Sequence, residues 1–286
     1  MGNLVTMDDL TNDDIVSVLD DAERLLPVAK GDIILPLLQG KVLANMFFEN
    51  STRTRMSFET AMKRLGGSVL NFSSVGTSVS KGETLYDTMQ MIDGYADIAA
   101  IRHPRQGAAQ YSADAVGIPI LNAGDGAGNH PTQTMLDLFT IRQAHGTLEG
   151  LNVVLVGDLR YGRTVHSLSH ALVRFGARLT LVSPSSLKMP VEIVSDLKSH
   201  GAEVTEKESL DGQISNADVI YMTRIQKERF PDEEEYAKVA GIYRIEASSL
   251  VGAKKGMIIM HPLPRVDEIA PSVDSTEFAK YFQQAF

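Results

Sequence analysis

The stretch Phe48-Glu-Asn-Ser-Thr-Arg-Thr-Arg-Met-Ser-Phe58 decides the fold of the first half of the chain. An apolar run typical of a strand, residues 42–48, leads into it, and a helical pattern, residues 56–65, follows it. We therefore predict that residues 51–54 lie at a helix N-terminus, where unpaired backbone N–H groups and the helix dipole favour anions. A lone Ser-Thr-Arg is as readily a capped helix with solvated arginines, but the clustered hydroxyl and guanidinium groups here favour a phosphate cradle.

Composition limits the kind of protein this is. The chain has 286 residues, enough for two domains of average size. A net charge of −9 argues against general affinity for nucleic acid or membrane surfaces, so an anionic ligand needs a local basic site. There is no cysteine, which excludes disulfides and thiolate chemistry. We find no apolar run long enough to span a membrane and no secretory signal, and we expect a cytoplasmic enzyme.

Strand-like and helix-like segments alternate along both halves of the chain. This alternation predicts an α/β fold of two doubly wound domains, each with a central, mostly parallel sheet. The predicted parts are a first domain at residues 1–131, a bridging helix at 132–149 and a second domain at 150–286. Ligands bind beyond the carboxyl ends of parallel strands. In the first domain those positions are residues 51–55, 102–104 and 122–130, and we expect these turns to converge.

The second half begins with a predicted buried strand at residues 151–156, which leads into Gly157-Asp-Leu-Arg-Tyr-Gly-Arg163. This turn resembles the first turn of a nucleotide-binding unit, but it lacks the Gly-x-Gly-x-x-Gly spacing. Dinucleotide binding is therefore not favoured.

Cationic and amide side chains gather at the predicted strand ends. They are Arg53, Arg55, Lys81, Arg102, His130, Gln133, Arg163, Arg224, Gln226 and Arg265. Arginine forks suit carboxylates and phosphates, so this pattern predicts a site for several anions at once. Paired carboxylates, a Ser-His-Asp set and metal-ligand spacing do not stand out, so we expect no metal and no cofactor, and catalysis by positioning and electrostatics.

Several of these residues have a plainer interpretation. Arg55 and Arg265 suit salt-bridged scaffold as well as a binding site. Lys81 by itself would be an ordinary exposed loop lysine. Asp125 and Asp158 are predicted to form turns, because short carboxylates accept hydrogen bonds from nearby backbone N–H groups.

The sequence resembles the catalytic chains of the aspartate carbamoyltransferase family. The motifs that carry the resemblance are Ser51-Thr-Arg-Thr-Arg55, Lys81-Gly-Glu-Thr84, Arg102-His-Pro104, Gly128-Asn-His-Pro-Thr-Gln133, Gly157-Asp-Leu-Arg-Tyr-Gly-Arg163, Tyr221-Met-Thr-Arg-Ile-Gln-Lys-Glu-Arg229 and His261-Pro-Leu-Pro-Arg265. The resemblance implies transfer of a carbamoyl group from carbamoyl phosphate to the amine of L-aspartate, early in pyrimidine synthesis, without a covalent intermediate.

The resemblance also assigns residues. It implies that the first domain binds carbamoyl phosphate through Ser51, Thr52, Arg53, Thr54, Arg102, His130 and Gln133, with Leu263 and Pro264 from the second. The residues implied for aspartate are Lys81, Arg163, Arg224 and Gln226, and the implied catalytic set is Arg53, Thr54, Lys81, Arg102 and His130. The Leu263–Pro264 bond is implied to be cis, which proline permits.

The loop that carries Lys81 bears on assembly. In the family this loop enters the neighbouring subunit's site, so the resemblance implies a homotrimer with shared sites and leaves regulatory chains possible. The accompanying hydroxyl stays open among Thr77, Ser78 and Ser80, with Ser78 favoured. The family normally continues through another helix after the position of Phe286, which implies a truncated sequence or a different closing element.

Two rival functions are weighed. Ornithine carbamoyltransferases share the phosphate half, but they carry His-Cys-Leu-Pro where this chain has His261-Pro-Leu-Pro264. Their substrate also needs an acidic partner, whereas Arg163, Arg224 and Gln226 suit a dicarboxylate. A rival of another class is a non-catalytic carbamoyl-phosphate-binding protein, which the presence of the implied catalytic residues disfavours.

Overall fold

The structure is a computed structural model that describes residues 2–73, 77–225, 230 and 233–286. It divides into two compact units, Met1–Met135 and Leu136–Phe286. Each unit has a central sheet in which every paired strand is parallel to its neighbours, with four strands in the first unit and five in the second. The predicted α/β class with two parallel-sheet domains is confirmed.

The first unit has its strands in the order β2-β1-β3-β4. The strands are β1 Val42–Phe47, β2 Ser68–Ser73, β3 Ile98–His103 and β4 Ile120–Asp125, and the helices are α1 Asn12–Lys30, α2 Thr52–Arg64, α3 Leu85–Asp93 and α4 Ala108–Ala115. The chain winds outward from β1 to β2 and, in the other direction, from β3 to β4. The direction of winding therefore reverses between β1 and β3, which is where open α/β sheets bind ligands.

The second unit has its strands in the order β7-β6-β5-β8-β9. The strands are β5 Asn152–Val156, β6 Arg178–Val182, β7 Val204–Lys207, β8 Val219–Met222 and β9 Ile258–Met260. Its helices include α6 Arg163–Val173, α7 Val191–Ser199, α8 Glu233–Ala237 and α9 Tyr281–Ala285. Here the winding reverses between β5 and β8. Strands β5 and β8 are apolar and fully buried apart from Asn152, as expected for a sheet covered on both faces.

Helix α5, Pro131–His145, contains the division between the units. Pro131 opens the helix, where its missing N–H costs no hydrogen bond. Gly146 ends it with a φ of 74°, and its N–H donates to the Arg142 carbonyl at 2.8 Å. The helix predicted at this place is confirmed.

Local hydrogen bonds determine where the elements of the first unit begin and end. A short 3-10 turn, Met7–Asp9, precedes α1 as a separate element, because Thr6 and Thr11 each form their own capping box. Helix α1 continues past Pro27 to Lys30, since the Gly31 N–H still bonds to the Pro27 and Val28 carbonyls. Strand β3 continues to His103 and therefore includes Arg102.

Candidate active site

Helix α2 begins at the carboxyl edge of the first sheet, as predicted. Ser51 is its N-cap, with extended backbone angles (φ −155°, ψ 118°). Among the described residues its side chain makes no capping hydrogen bond. The first backbone N–H groups of α2, at Thr52, Arg53 and Thr54, have no carbonyl within the helix to bond to. This end of the helix therefore presents N–H groups and hydroxyls suited to an anion.

Arg102 lies beside that helix end, held by three strands. It pairs in register with Phe47 on β1, and its carbonyl accepts from the Phe48 N–H at 2.8 Å. Its Nη1 donates to the Ala123 carbonyl on β4 at 3.3 Å, and its Nη2 donates to Glu49 Oε1 at 2.6 Å. The Arg102 side chain is only 12% exposed, and its buried Nε has no partner among the described residues. The Arg102 guanidinium is thus held in place next to β1 and β3, between which the winding of the sheet reverses.

Arg53 and Arg102 lie close enough to influence each other. Partial burial lowers the pKa of the Arg53 guanidinium, and the positive charge of Arg102 lowers it further. Arginine stays protonated despite such a shift, so two positive charges repel each other here. A phosphate bound between them would relieve that repulsion through charge-assisted hydrogen bonds.

The loop after β4 brings His130 to the same edge. His130 is 5% exposed, and its ring Nδ1 lies 3.4 Å from Thr132 Oγ1. Gly126 has a φ of 54°, and a Cβ there would lie 2.7 Å from the Pro104 carbonyl, so only glycine allows this approach. The Gly126 N–H donates to the His103 carbonyl at 2.9 Å. The predicted convergence of these turns is therefore confirmed.

Asp125 holds this loop in shape. Its Oδ1 accepts from the Asn129 N–H at 2.6 Å, and its Oδ2 accepts from the Gly107 N–H at 2.8 Å. In the second unit, Asp158 Oδ1 accepts from the N–H groups of Arg160 and Tyr161 at 3.2 and 2.9 Å. Both aspartates form turns, as the sequence predicted.

Lys81 ends a 3-10 turn, Ser78–Lys81, that follows β2 in the chain. Lys81 lines an open pocket together with Thr77, Ser78 and Ser80. The Ser80 hydroxyl already donates to the Thr77 carbonyl at 2.7 Å, which disfavours Ser80 as the accompanying hydroxyl.

In the second unit the turns after β5 and β8 touch. Gly157 has a φ of 113°, and a Cβ there would lie 2.3 Å from the Thr223 carbonyl. Arg224 follows β8 and lines a pocket with Tyr236 and Tyr243. Arg163 is the first residue of α6, which follows the turn after β5. Gln226, the remaining predicted aspartate ligand, lies outside the described residues.

The turn after β9 contains the predicted cis bond, Leu263–Pro264. Leu263 has a positive φ of 55°, and its N–H donates to His261 Nδ1 at 2.8 Å. Gln133 lies in the first turn of α5, and its N–H donates to the His130 carbonyl at 3.1 Å.

Arg265 is scaffold. It forms a two-pronged ion pair with Asp274, in which Nη2 donates to Oδ2 at 2.6 Å. Its guanidinium also lies over the rings of Tyr281 and Phe282, 5.1 and 5.4 Å from their centres. The hydrogen bond to Asp274 raises the pKa of Arg265. Of its two interpretations, the salt-bridged one is confirmed.

Sequence reasoning passed over two carboxylates. Glu49 lies within the stretch 48–58 that opens the sequence analysis. A carboxylate next to an arginine-rich turn could have been recognised there as a candidate partner for an arginine. Glu268 follows His261 by seven residues, with no local pattern to mark it. Within the described ranges, no group of three or more His, Cys, Asp or Glu residues is placed to hold a metal ion. None of the described helices is long and apolar enough to cross a membrane.

The parallel sheets, with arginines next to the points where their winding reverses, define a two-domain α/β protein of the kind that binds ligands at the carboxyl ends of its strands. The carbamoyl-phosphate-binding domain of aspartate/ornithine carbamoyltransferases matches residues 3–143, and their Asp/Orn-binding domain matches residues 149–286. The chain belongs to the aspartate/ornithine carbamoyltransferase family.

Relatives extend the likeness over the whole chain. The aspartate carbamoyltransferase catalytic subunit of Archaeoglobus fulgidus is 55% identical, across 100% of this chain and 95% of its own length. The solved catalytic subunit of M. jannaschii aspartate transcarbamoylase is 50% identical with a TM-score of 0.93, across 100% of this chain and 94% of that one. Trypanosoma cruzi aspartate transcarbamoylase in complex with carbamoyl phosphate and aspartate is 40% identical with a TM-score of 0.94, across 99% of this chain and 92% of that one.

Proposed function

We propose that this protein transfers the carbamoyl group of carbamoyl phosphate to the amine of L-aspartate. The products are N-carbamoyl-L-aspartate and phosphate, in pyrimidine synthesis. The names of the relatives and the ligands of the T. cruzi structure support this activity. The observation that carries it is the N-terminus of α2, where the Ser51 hydroxyl makes no cap among the described residues and Arg53 and Arg102 lie close together.

The phosphate of carbamoyl phosphate would bind at the α2 N-terminus, to Ser51, Thr52, Arg53 and Thr54. Backbone N–H groups and the helix dipole supply one part of the attraction, and the Arg53 guanidinium supplies the other. Such charge-assisted hydrogen bonds are about twice as strong as neutral ones.

The carbamoyl group would lie next to Arg102. Thr54, Arg102 and His130 are assigned to its carbonyl oxygen, and Gln133 with the Leu263 carbonyl before Pro264 to its amide. Donors placed in advance around an oxygen that gains negative charge stabilise the transition state without reorganising. Arg102, tied to β1 and β4, suits that requirement.

The reaction needs no covalent intermediate on the protein. The aspartate amine attacks the carbonyl carbon, the new C–N bond forms, and the electrons of the C=O bond move onto oxygen. When the carbonyl re-forms, the C–O bond to phosphate breaks and inorganic phosphate leaves. The departing phosphate accepts the proton that the amine loses. The protein contributes orientation of the two substrates and stabilisation of the charged oxygen.

Aspartate would bind through its two carboxylates to the second unit. Arg163 and Arg224, at the ends of the turns after β5 and β8, are assigned to them, together with Gln226. Arginine forks bind carboxylates with two parallel hydrogen bonds. Lys81 completes the site from a neighbouring subunit, so the working assembly is a homotrimer. A cytoplasmic location is part of the proposal, and the proposal is compatible with regulatory chains that bind such trimers.

The deciding experiment measures phosphate release from carbamoyl phosphate by the purified protein. L-Aspartate and L-ornithine are compared as acceptors under the same conditions. We expect release with L-aspartate and none above background with L-ornithine. Release with L-ornithine alone would overturn the assignment of the second unit, and release with neither would overturn the proposed activity.

A further inference from the structure

The turn after β9 is held by a buried imidazole. His261 is 1% exposed, and both of its ring nitrogens have partners. Its Nδ1 accepts from the Leu263 N–H at 2.8 Å. Its Nε2 lies 2.6 Å from Oε1 of Glu268, which is 5% exposed.

These contacts determine which ring nitrogen carries the proton. Because Nδ1 accepts from a backbone N–H, it has no hydrogen of its own, and a neutral His261 must carry its hydrogen on Nε2. Nε2 therefore donates to Glu268. Burial lowers the pKa of His261, although the bond to Glu268 opposes this, so the ring stays neutral at pH 7. Burial opposes ionisation of Glu268, but hydrogen bonds from His261 and the backbone lower its pKa to about 2.

The rest of the turn is tied to the same two side chains. Glu268 Oε2 accepts from the N–H groups of Val266 and Asp267 at 3.1 and 3.0 Å. At the other end, the His261 N–H donates to Gln284 Oε1 at 2.8 Å. The turn is thus fixed by its own carboxylate, its own imidazole and a buried amide from α9.

We infer that His261 and Glu268 are positioning residues for catalysis. Glu268 orients the His261 ring, and the ring in turn holds the Leu263 peptide, so that the Leu263 carbonyl meets the amide of the carbamoyl group. The inference rests on the proposed function, which assigns that carbonyl to the substrate. Neither side chain needs to touch substrate, because both act through the backbone of Leu263. A carbonyl out of place by about 1 Å is enough to cost a large factor in rate.

Two substitutions of His261 separate the two bonds of its ring. In His261→Asn, the amide oxygen takes the place of Nδ1 and accepts from the Leu263 N–H, but the side chain is too short to reach Glu268. In His261→Gln, the amide nitrogen takes the place of Nε2 and donates to Glu268, but the acceptor for Leu263 is lost. Both variants replace a buried ring by a smaller amide, so they are matched for loss of packing.

The measurement is steady-state kinetics of phosphate release with L-aspartate, together with the melting temperature of each variant. We expect His261→Asn to stay within about 3-fold of the wild type in kcat/KM for carbamoyl phosphate. We expect His261→Gln to lose about 10-fold or more, with its KM for aspartate little changed. The two variants should nevertheless have similar melting temperatures. High activity in His261→Asn, which keeps only the bond to Leu263, would show that the kinetic loss in His261→Gln comes from a misplaced Leu263 peptide and not from lost packing.

Glu268→Gln supplies a second test in which the histidine remains. Both oxygens of Glu268 accept hydrogen bonds, one from His261 Nε2 and the other from the Val266 and Asp267 N–H groups. In either orientation of the glutamine amide, its NH2 group therefore faces another donor, and one hydrogen bond is lost. We expect a loss in kcat/KM for carbamoyl phosphate similar to that of His261→Gln. The control is Glu277→Gln, at an exposed carboxylate nine residues further along the chain. Its kcat/KM should equal that of the wild type.

Three outcomes would overturn the inference. Wild-type kinetics in both His261→Gln and Glu268→Gln would exclude positioning. Equal kinetic losses in His261→Asn and His261→Gln that follow their melting temperatures would show a purely structural role. If the wild type itself releases no phosphate with L-aspartate, the proposed function fails, and this role fails with it. If His261→Gln does not fold, Glu268→Gln alone decides the question.

Discussion

Glu49 Oε1 lies 2.6 Å from Arg102 Nη2, so the arginine assigned to the substrate carbonyl already has a carboxylate partner inside the protein. The Glu49 side chain is 33% exposed and that of Arg102 is 12% exposed, so the pair is partly shielded from water. A substrate anion that binds Arg102 competes with Glu49 for the same guanidinium. In the proposed site, the Glu49 carboxylate would therefore weaken the attraction of this edge of the sheet for phosphate.

We expect Glu49→Gln to bind inorganic phosphate about 3- to 10-fold more tightly, because a competing charge next to Arg102 is removed. Isothermal calorimetry in low salt measures this. Glu59→Gln is the matched control, since Glu59 lies on α2 and pairs with Lys63 at 2.5 Å. Unchanged or weaker binding in Glu49→Gln would contradict the competition.

Arg53→Ala should lose nearly all activity. A charge-assisted hydrogen bond to phosphate contributes about 1.5–3 kcal/mol, and the transition state keeps that phosphate bound. Arg55→Ala, two residues further along the same helix, should keep most of the activity. Phosphate release with L-aspartate compares the two variants directly. Near-normal turnover in Arg53→Ala would refute the cradle.

Arg224→Ala should raise the aspartate concentration needed for half-maximal rate about 10-fold or more, with binding of carbamoyl phosphate largely intact. The two substrates are titrated separately. Arg244→Ala serves as the control, because Arg244 is an exposed arginine of the same unit that pairs with Glu246. Equal damage to both substrates in Arg224→Ala would show that the assignment of substrates to the units is wrong.

Subunits inactivated in different ways should complement each other. The Arg53→Ala and Lys81→Ala proteins are mixed, unfolded and refolded together. In the mixed trimers, a shared site can then combine an intact Arg53 from one subunit with an intact Lys81 from its neighbour. Random mixing in equal amounts should restore about a quarter of the sites. Each variant refolded alone is the control. No regain of activity would mean that each site is built from one chain.

The His261–Glu268 pair predicts a loss of stability in acid. The folded protein lowers the pKa of His261 from 6.5, and that of Glu268 from 4.5 to about 2. Both shifts favour the less protonated form in the folded state. Their contribution to the free energy of unfolding is therefore complete above pH 6.5. It falls below pH 6.5, because His261 takes up a proton in the unfolded chain but resists it in the folded protein, and it falls further between pH 4.5 and about 2, because Glu268 does the same.

The melting temperature of the wild type should therefore fall more steeply from pH 7.5 to pH 5 than that of His261→Asn, which has no imidazole to protonate at this place. The positive charges of Arg265 and Arg224 also act on this ring and further disfavour its protonation. His200→Asn, at an exposed histidine, is the control and should follow the wild type. Parallel curves for wild type and His261→Asn would contradict the prediction.

The phosphate half of the site was the most predictable part. Residues 51–54 could be placed at a helix N-terminus because a strand run, hydroxyl residues and a helical period follow one another in the chain. Asp125 and Asp158 could be identified as turn residues because their hydrogen bonds reach N–H groups close in sequence or in an adjoining loop. Partners farther away in sequence, such as Glu268 for the ring of His261, followed no such pattern.

The sequence by itself determined the succession of strands and helices, and with it the cationic turns, because these depend on local periodicity and on the conformations that each residue allows. It also predicted parallel pairing, since a helix between two strands returns the chain to the same end of the sheet. Only the tertiary structure decided that β3 and β8 lie next to β1 and β5, so that the winding reverses at the arginines. Only the tertiary structure paired Arg102 with Glu49 and turned Arg265 towards Asp274. Such pairings depend on how distant segments pack, and no local pattern encodes that geometry.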